Sequence, residues 1–331
     1  MKHLLTLTAM LALTLPLSAQ TAPEQALSPG QIVAQAAPSE WVRIAPEDLL
    51  VMTLAPDAKG RERQVVIQLM PPPFSQGWVE NIRTLAKAGW YDGLSINRVQ
   101  DNYVVQWGDP DGEDAKRLLA GLQEQQRYDA SLGDWGRFWH QPDGRVLGSP
   151  MSSKLSYLAR YSDPYAKVTM HYLGWPIGAE AADSSPGSDE LVGWPVHCYG
   201  MVGVGRDLPL DTGSGAELYA VIGHAPRHLD RNIALVGRVV KGVEHLSTLP
   251  RGTGELGFYE TAAERVPIRS VRLASDLPEA ERPDMEYLST ESKTFAAYAE
   301  ARANRRDPFF IVPAGGADIC NIPVPVRQVE D

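Results

Sequence analysis

Cysteine is scarce in this chain: among 331 residues only Cys198 and Cys320 occur. That limits cross-linking to one intrachain disulfide, which an oxidising compartment would allow and which would tie the far C-terminal tail to the middle of the chain. Two buried free thiols are the other reading, and the sequence does not choose between them. No zinc site is expected, because neither cysteine has a ligand partner at zinc spacing apart from the adjacent His197. Positive charge is sparse too. The net charge is −10, and the basic residues cluster only at Arg302, Arg305 and Arg306, which read as a solvated helix end. This leaves no electrostatic footprint for nucleic acid. Long apolar runs are absent beyond the first residues, so nothing else is long enough to span a bilayer.

Several catalytic signatures are missing as well. There is no G-x-S-x-G elbow, and His140, His171, His197, His224, His228 and His245 show no HExxH spacing. The glycines of Gly200–Gly205 are followed by no helix start, which argues against a nucleotide loop. Asp109–Asp114 lacks the ligand series of a calcium loop and reads as a turn and helix cap. No cofactor and no metal are expected, and no internal repeat is visible.

Apolar residues make up 44% of the chain and charged residues 22%, enough for one large domain or two ordinary ones. Lys2 and His3 precede an apolar run from Leu4 to Leu17, and Leu17-Ser18-Ala19 fits a small-residue cleavage site. Residues 1–19 are therefore expected to be a signal peptide, cut after Ala19, with a retained anchor as the rival reading. Residues 20–40, rich in Ala, Gln and Pro, read as a flexible tether. The product is expected in the periplasm or secreted.

Periodicity then predicts ordered structure from Trp41 to Leu54 and a strand over Gln64–Met70. A helix follows, capped by Ser75, carrying Trp78, Val79, Ile82, Leu85 and Ala86 on one face and stopped by Gly89. Strands are expected at Leu94–Val99 and Tyr103–Trp107. Residues 111–196 read as an elaborated insertion: a helix with Ala115, Leu118, Leu119 and Leu122, a loop with Trp135 and Trp139, a strand near Val168–Leu173, and a polar loop at 181–190. Further strands are expected at Val196–Val204, Leu218–Ile222, Ile233–Val239 and Val266–Leu273, with a helix start near Glu244. A helix over Ser289–Arg306 and an extended tail from Pro308 to Arg327 make a C-terminal arm over 276–331.

Residues 91–110 hold Tyr91-Asp92-Gly93, then Asn97-Arg98-Val99, then Tyr103, Gln106 and Gly108-Asp109. The stretch resembles the core motif of the cyclophilin-type peptidyl-prolyl isomerases. The resemblance extends over Gln64–Met70, the helix with Asn81 and Leu85, and residues 197–274, where His224–Gly242 is similar to the family's LDG turn and following strand. It implies a mainly β, closed antiparallel barrel of about eight strands with two capping helices, spanning 41–275.

It also implies roles. Arg98 falls on the catalytic arginine and Gln106 on the glutamine that holds it. Tyr103, Val104, Tyr219 and Leu229 fall on the proline pocket, with Glu217 in place of a glutamine. His228 stands where many members carry tryptophan, Ile233 where many carry histidine, and Asn97 replaces the histidine before the arginine. The implied partners are proline-containing unfolded or exported polypeptides. The implied reaction is rotation about Xaa-Pro bonds, of altered selectivity and weak cyclosporin sensitivity. A non-catalytic chaperone or binding module on the same barrel is the alternative. Taken singly, each pocket residue could equally be plain core.

Overall fold

The computed structural model describes residues 25–108, 116–123, 127–134, 155–157, 163–182 and 190–329. The expected signal peptide, the acidic turn at Asp109–Asp114, and Trp135, Trp139 and His140 lie outside them. In chain order the elements are α1 (Pro29–Ala34), β1 (Trp41–Arg43), β2 (Leu49–Leu54), β3 (Arg63–Leu69), α2 (Gln76–Lys87), β4 (Ser95–Val99) and β5 (Val104–Gly108). The insertion supplies β6 (Ala130–Asp134), β7 (Leu155–Tyr157), β8 (Val168–Tyr172), β9 (Trp175–Ala181) and β10 (Glu190–Pro195). Then follow β11 (Met201–Val204), β12 (Leu218–Val221), β13 (Leu235–Lys241), α3 (Glu244–Ser247), β14 (Val266–Leu273), β15 (Met285–Leu288), α4 (Lys293–Ala303) and β16 (Val326–Gln328).

Eight strands close into an antiparallel barrel in the order β11-β12-β5-β4-β14-β2-β3-β13, with β13 pairing back onto β11. Alternation of side chains along each strand fills the barrel. Leu50, Met52 and Leu54 of β2, Val65, Ile67 and Leu69 of β3, and Val105 and Trp107 of β5 all enter the main core. The opposite faces differ. Leu49, Val51 and Val66 face a second apolar cluster with Met285 and Tyr287, so the outer wall of β2 and β3 is covered. This is why β2 opens on an unbroken apolar run, Leu49 to Met52, and not on an alternating one.

The cover is built from both ends of the chain. Strands β1, β15 and β16 form a three-stranded sheet. Ile32, Val33 and Ala36 from the N-terminal segment pack with Phe295, Tyr298 and Ala299 of α4. Residues 25–40 are thus not the free tether expected. Ser28 caps α1 through a reciprocal bond pair with Gln31, and burial of the apolar side chains against α4 holds the segment down. The insertion forms its own antiparallel sheet, β6-β10-β9-β8-β7, whose Met170, Tyr172, Trp175 and Ile177 join the main core.

Other expectations need correction. The helix expected around Ala115–Leu122 is absent over 116–123. Gly121 turns there at φ +82°, and the Asn81 side chain takes both the N–H and the carbonyl of Gln123. The strand expected over Val196–Val204 begins only at Met201, because His197 gives its backbone N–H to the Asp230 side chain instead of to a ladder. Helix α2 carries the expected apolar face, but Ser75 sits at φ +54° and its side chain caps nothing. The second capping helix, α3, is only four residues long. Helix α4 starts at Lys293, where Ser292 accepts from the Phe295 N–H, and its cap at Asn304 falls short of Arg306. Cys198 and Cys320 are joined by a disulfide, Cα to Cα 5.1 Å, tying the arm to the start of β11.

Candidate functional site

The described residues leave the outer wall of β4, β5 and β12 open, and the site lies there. Ladder register places Arg98 opposite Gln106, Gln106 opposite Tyr219, and Tyr219 opposite Gly203, one row across four strands. The β4–β5 register shifts between Ile96 and Arg98, so a bulge at Asn97 re-aims the arginine. The Tyr91-Asp92-Gly93 turn anchors this strand pair. Buried Tyr91 donates its hydroxyl to the Gly215 carbonyl at 2.7 Å. Asp92 takes both terminal nitrogens of Arg272 on β14 at 2.7 and 2.6 Å, and these bonds hold its carboxyl below the usual range.

Arg98 is half-buried, and its guanidinium is fixed by three acceptors. Nε donates to the Leu256 carbonyl at 2.7 Å, one terminal nitrogen donates to Gln106 Oε1 at 3.1 Å, and the other to Gln100 Oε1. The group lies 5.9 Å from the Tyr103 ring centre and 5.3 Å from that of Phe258. Gln106 in turn donates from Nε2 to Glu217 at 2.9 Å, which fixes which way its amide faces. Beside this polar row sits a small apolar cluster separate from the barrel core: Val104, Tyr219 and Val221 buried, with Tyr103, Leu229 and Ile233 packed against them. Arginine and cluster face one cavity of about 670 Å³.

A fixed cation beside a small apolar cluster on one cavity is the arrangement the sequence resemblance implies. The family model described as cyclophilin type peptidyl-prolyl cis-trans isomerase/CLD matches residues 76–273. The chain belongs to the cyclophilin-type isomerase family. Among solved structures, the cyclophilin AquaCyp293 from Hirschia baltica matches over 91% of this chain and 98% of its own, with a TM-score of 0.61 and 22% identity. A Cryptosporidium parvum cyclophilin-type isomerase, solved in the presence of the dipeptide ala-pro, matches over 67% of this chain and 98% of its own, with a TM-score of 0.35 and 10% identity. No curated protein matches.

Within this cyclophilin barrel the expected site residues are brought together with one exception. Arg98, Gln106, Tyr103, Val104, Glu217, Tyr219, Leu229 and Ile233 all line the cavity. His228 does not. It is exposed, and its ring stacks at 6.2 Å and 13° on Tyr103, buttressing the pocket instead of lining it. Gln100, Leu256 and Phe258 hold the arginine but carry no motif. Gln100 could have been found from its i+2 position, which puts it on the same strand face as Arg98. Leu256 and Phe258 lie in a loop far along the chain and left no signal. Burial lowers the Arg98 pKa while Tyr103 and Glu217 push it back up, and an arginine so placed stays charged at neutral pH. Among the described residues no His, Cys, Asp and Glu cluster could hold a metal ion, and no helix is long and apolar enough to cross a membrane.

Proposed function

We propose that this chain catalyses cis–trans isomerisation of Xaa-Pro bonds in unfolded or exported polypeptides, with Arg98 donating to the prolyl nitrogen. One observation carries the reading: a guanidinium locked by Leu256, Gln106 and Gln100 shares a cavity with the apolar cluster of Val104, Tyr219, Leu229 and Ile233.

The amide resists rotation by about 18–20 kcal/mol because the nitrogen lone pair is delocalised into the carbonyl. In the twisted transition state that lone pair is localised on a pyramidal nitrogen. A donor aimed at it binds the twisted form better than the planar one, and such differential binding is catalysis. Arginine has five N–H donors; the three bonds above leave donor capacity on both terminal nitrogens. Because the group is already oriented, little reorganisation is needed when the substrate twists. The apolar cluster holds the proline ring, and the same burial keeps water from competing for the donor. No bond is made or broken, and Gln106 both steadies Arg98 and lies within the cavity, where it can meet the substrate backbone.

The test is a proline-peptide isomerisation assay on the full chain and on Arg98→Ala. A loss of about 100-fold or more in kcat/KM with an unchanged thermal midpoint is expected. Retained turnover would refute the role of Arg98. A wild type that binds unfolded chains without turning over any proline peptide would instead favour the non-catalytic module, a reading to which Glu217, His228 and Ile233, standing where the family carries other residues, lend weight.

The same reading places the protein outside the cytoplasm. Its support is the Lys2 and Leu4–Leu17 pattern and a disulfide of a kind that persists under oxidising conditions. Secreted material should have a mass that begins at Gln20. A chain that keeps Met1 would count against export by cleavage.

A further inference from the structure

Tyr219 presents its ring to the cavity, and a phenylalanine would supply the same apolar wall. Its hydroxyl is committed elsewhere. It lies 2.8 Å from Nε2 of His197, a side chain with no exposed surface. Nδ1 of that ring lies 2.9 Å from Asp230 Oδ1, and the same oxygen accepts the His197 backbone N–H at 2.9 Å. A carboxylate only accepts, so in the neutral imidazole Nδ1 carries the proton and Nε2 receives the Tyr219 O–H. Asp230 Oδ2 accepts from Arg227 Nε at 2.7 Å. Arg227 then forks onto both oxygens of Asp163, at 2.7 and 3.1 Å, and reaches Asp318 at 3.3 Å.

This row of bonds leaves the barrel. Asp163 belongs to the insertion, and Asp318 to the C-terminal arm two residues before Cys320, whose disulfide partner Cys198 follows His197. The barrel makes room for the hydroxyl: a Cβ on Gly203 would stand 2.3 Å from it. Charge-assisted, nearly dry bonds of this kind hold a side chain in one place. A ring so held loses little freedom when a proline binds against it.

We propose that His197 and Asp230 are positioning residues for the isomerase site, and that Arg227 makes the grip of Tyr219 on the substrate proline depend on the insertion and the C-terminal arm. The proposal rests on the isomerase reading and concerns ground-state binding of the proline ring, so its signature lies in KM and not in kcat.

A double-mutant cycle on the full-length chain tests it, using Asp163→Asn, Tyr219→Phe and the pair. Asp163→Asn keeps an oxygen for the Tyr165 and Ala166 N–H groups it now serves at 2.8 and 3.0 Å, and removes the charge that holds Arg227. KM for an Xaa-Pro tetrapeptide, and the Kd of the same peptide by NMR titration, should each rise about fivefold in either single variant, with kcat within about twofold in Asp163→Asn. The pair should be no worse than Tyr219→Phe alone, because both act through one ring. A merely structural Asp163 would multiply with Tyr219→Phe; loss of the buried ion pair lowers the thermal midpoint under either reading, so the cycle is run well below it. Multiplying effects, or an unchanged KM and Kd in Asp163→Asn, overturn the proposal while leaving the Arg98 result untouched. If the wild type binds the peptide without turnover, the isomerase reading fails and the cycle is decided on Kd alone. If it neither binds nor turns over, both fall.

Discussion

Two arginine–glutamine pairs face outward from this barrel, in register on neighbouring strands: Arg98 with Gln106 on β4 and β5, and Arg238 with Gln68 on β13 and β3. Both guanidiniums bond the glutamine and a backbone carbonyl and lie against aromatic rings. Arg238 donates to Gln68 at 2.9 Å and to the Gly174 carbonyl at 2.6 Å, with Trp175 at 4.6 Å and Tyr287 at 5.6 Å. What differs is the cover. The insertion and the C-terminal arm close over Arg238, one of whose terminal nitrogens finds no partner among the described residues. Burial pulls its pKa down to about 10. Over Arg98 the described residues leave the wall open. The same chemical parts make a structural joint where they are sealed and a candidate catalytic group where a substrate can reach them.

The largest expected effect comes from exchanging the two. Arg98→Ala should remove turnover and spare the fold. Arg238→Ala should do the reverse, costing about 3 kcal/mol in urea unfolding, because it leaves a cavity and strands the acceptors on Gln68 and Gly174. Arg238→Met strands the same acceptors but fills the volume and removes a buried cation that has no carboxylate partner among the described residues, so its cost should fall clearly below that of Arg238→Ala. Both Arg238 variants should keep kcat/KM within about threefold, measured well below their melting temperatures. A turnover defect in Arg238→Met as large as in Arg98→Ala would mean that the sealed joint and the open site are one functional unit.

Much of the open side was legible in the sequence. Tyr91-Asp92-Gly93, Arg98 and Gln106 lie within one short stretch, where the motif and not simple alternation finds Arg98, since the bulge at Asn97 puts it on the opposite face from Ile96. The barrel strands and α2 were legible because their apolar periods are local. The sealed side was not. Nothing about Ile32, Val33 or Ala36 shows that they meet α4, because the partners lie some 260 residues away. The Ala115–Leu122 stretch has helical periodicity, yet Asn81 captures its backbone from another element. Nothing in the sequence marks the role of His197, since its partners Tyr219, Asp230 and, through Arg227, Asp163 come from three separate segments. Misreadings gather where long-range polar bonds override a local pattern.

The next effect sharpens the comparison through pH. His171 is fully buried in the sealed region, 5.0 Å from the Phe295 ring, and neither ring nitrogen has a hydrogen-bond partner among the described residues. Burial, with a smaller contribution from Arg238, lowers its pKa to about 3, although the Ile322 backbone partly opposes this. Above about pH 6.5 the ring is neutral whether the chain is folded or not, and it costs nothing. Between about 6.5 and the folded value the unfolded chain takes up a proton that the folded chain refuses, so stability falls as pH falls. The slope is at most about 1.4 kcal/mol per pH unit. Between pH 7 and pH 5 the wild type should therefore lose about 2 kcal/mol more than His171→Leu. Equal losses in urea titrations of the two proteins would show that water reaches the joint.

The smallest effect concerns Glu217, where the resemblance leads one to expect a neutral amide. Its carboxylate is one side chain removed from Arg98, through Gln106 Nε2 at 2.9 Å and Gln106 Oε1 at 3.1 Å. It does two things. As a pure acceptor it holds the Gln106 carbonyl toward Arg98, and as an anion it opposes the field that, in the proposed mechanism, Arg98 presents to the prolyl nitrogen. Glu217→Gln removes the second effect and weakens the first. A flipped Gln106 would set N–H against N–H at Arg98, losing a charge-assisted bond of about 1.5–3 kcal/mol, so the present orientation should survive. The lifted opposition, of order 1 kcal/mol in a partly solvated cleft, then decides the sign. The variant should raise kcat up to about fivefold and leave the thermal midpoint unchanged. A fall in kcat/KM confined to peptides with a basic residue near the proline would show instead that the carboxylate is a substrate contact, and that the open wall reads side chains as well as proline rings.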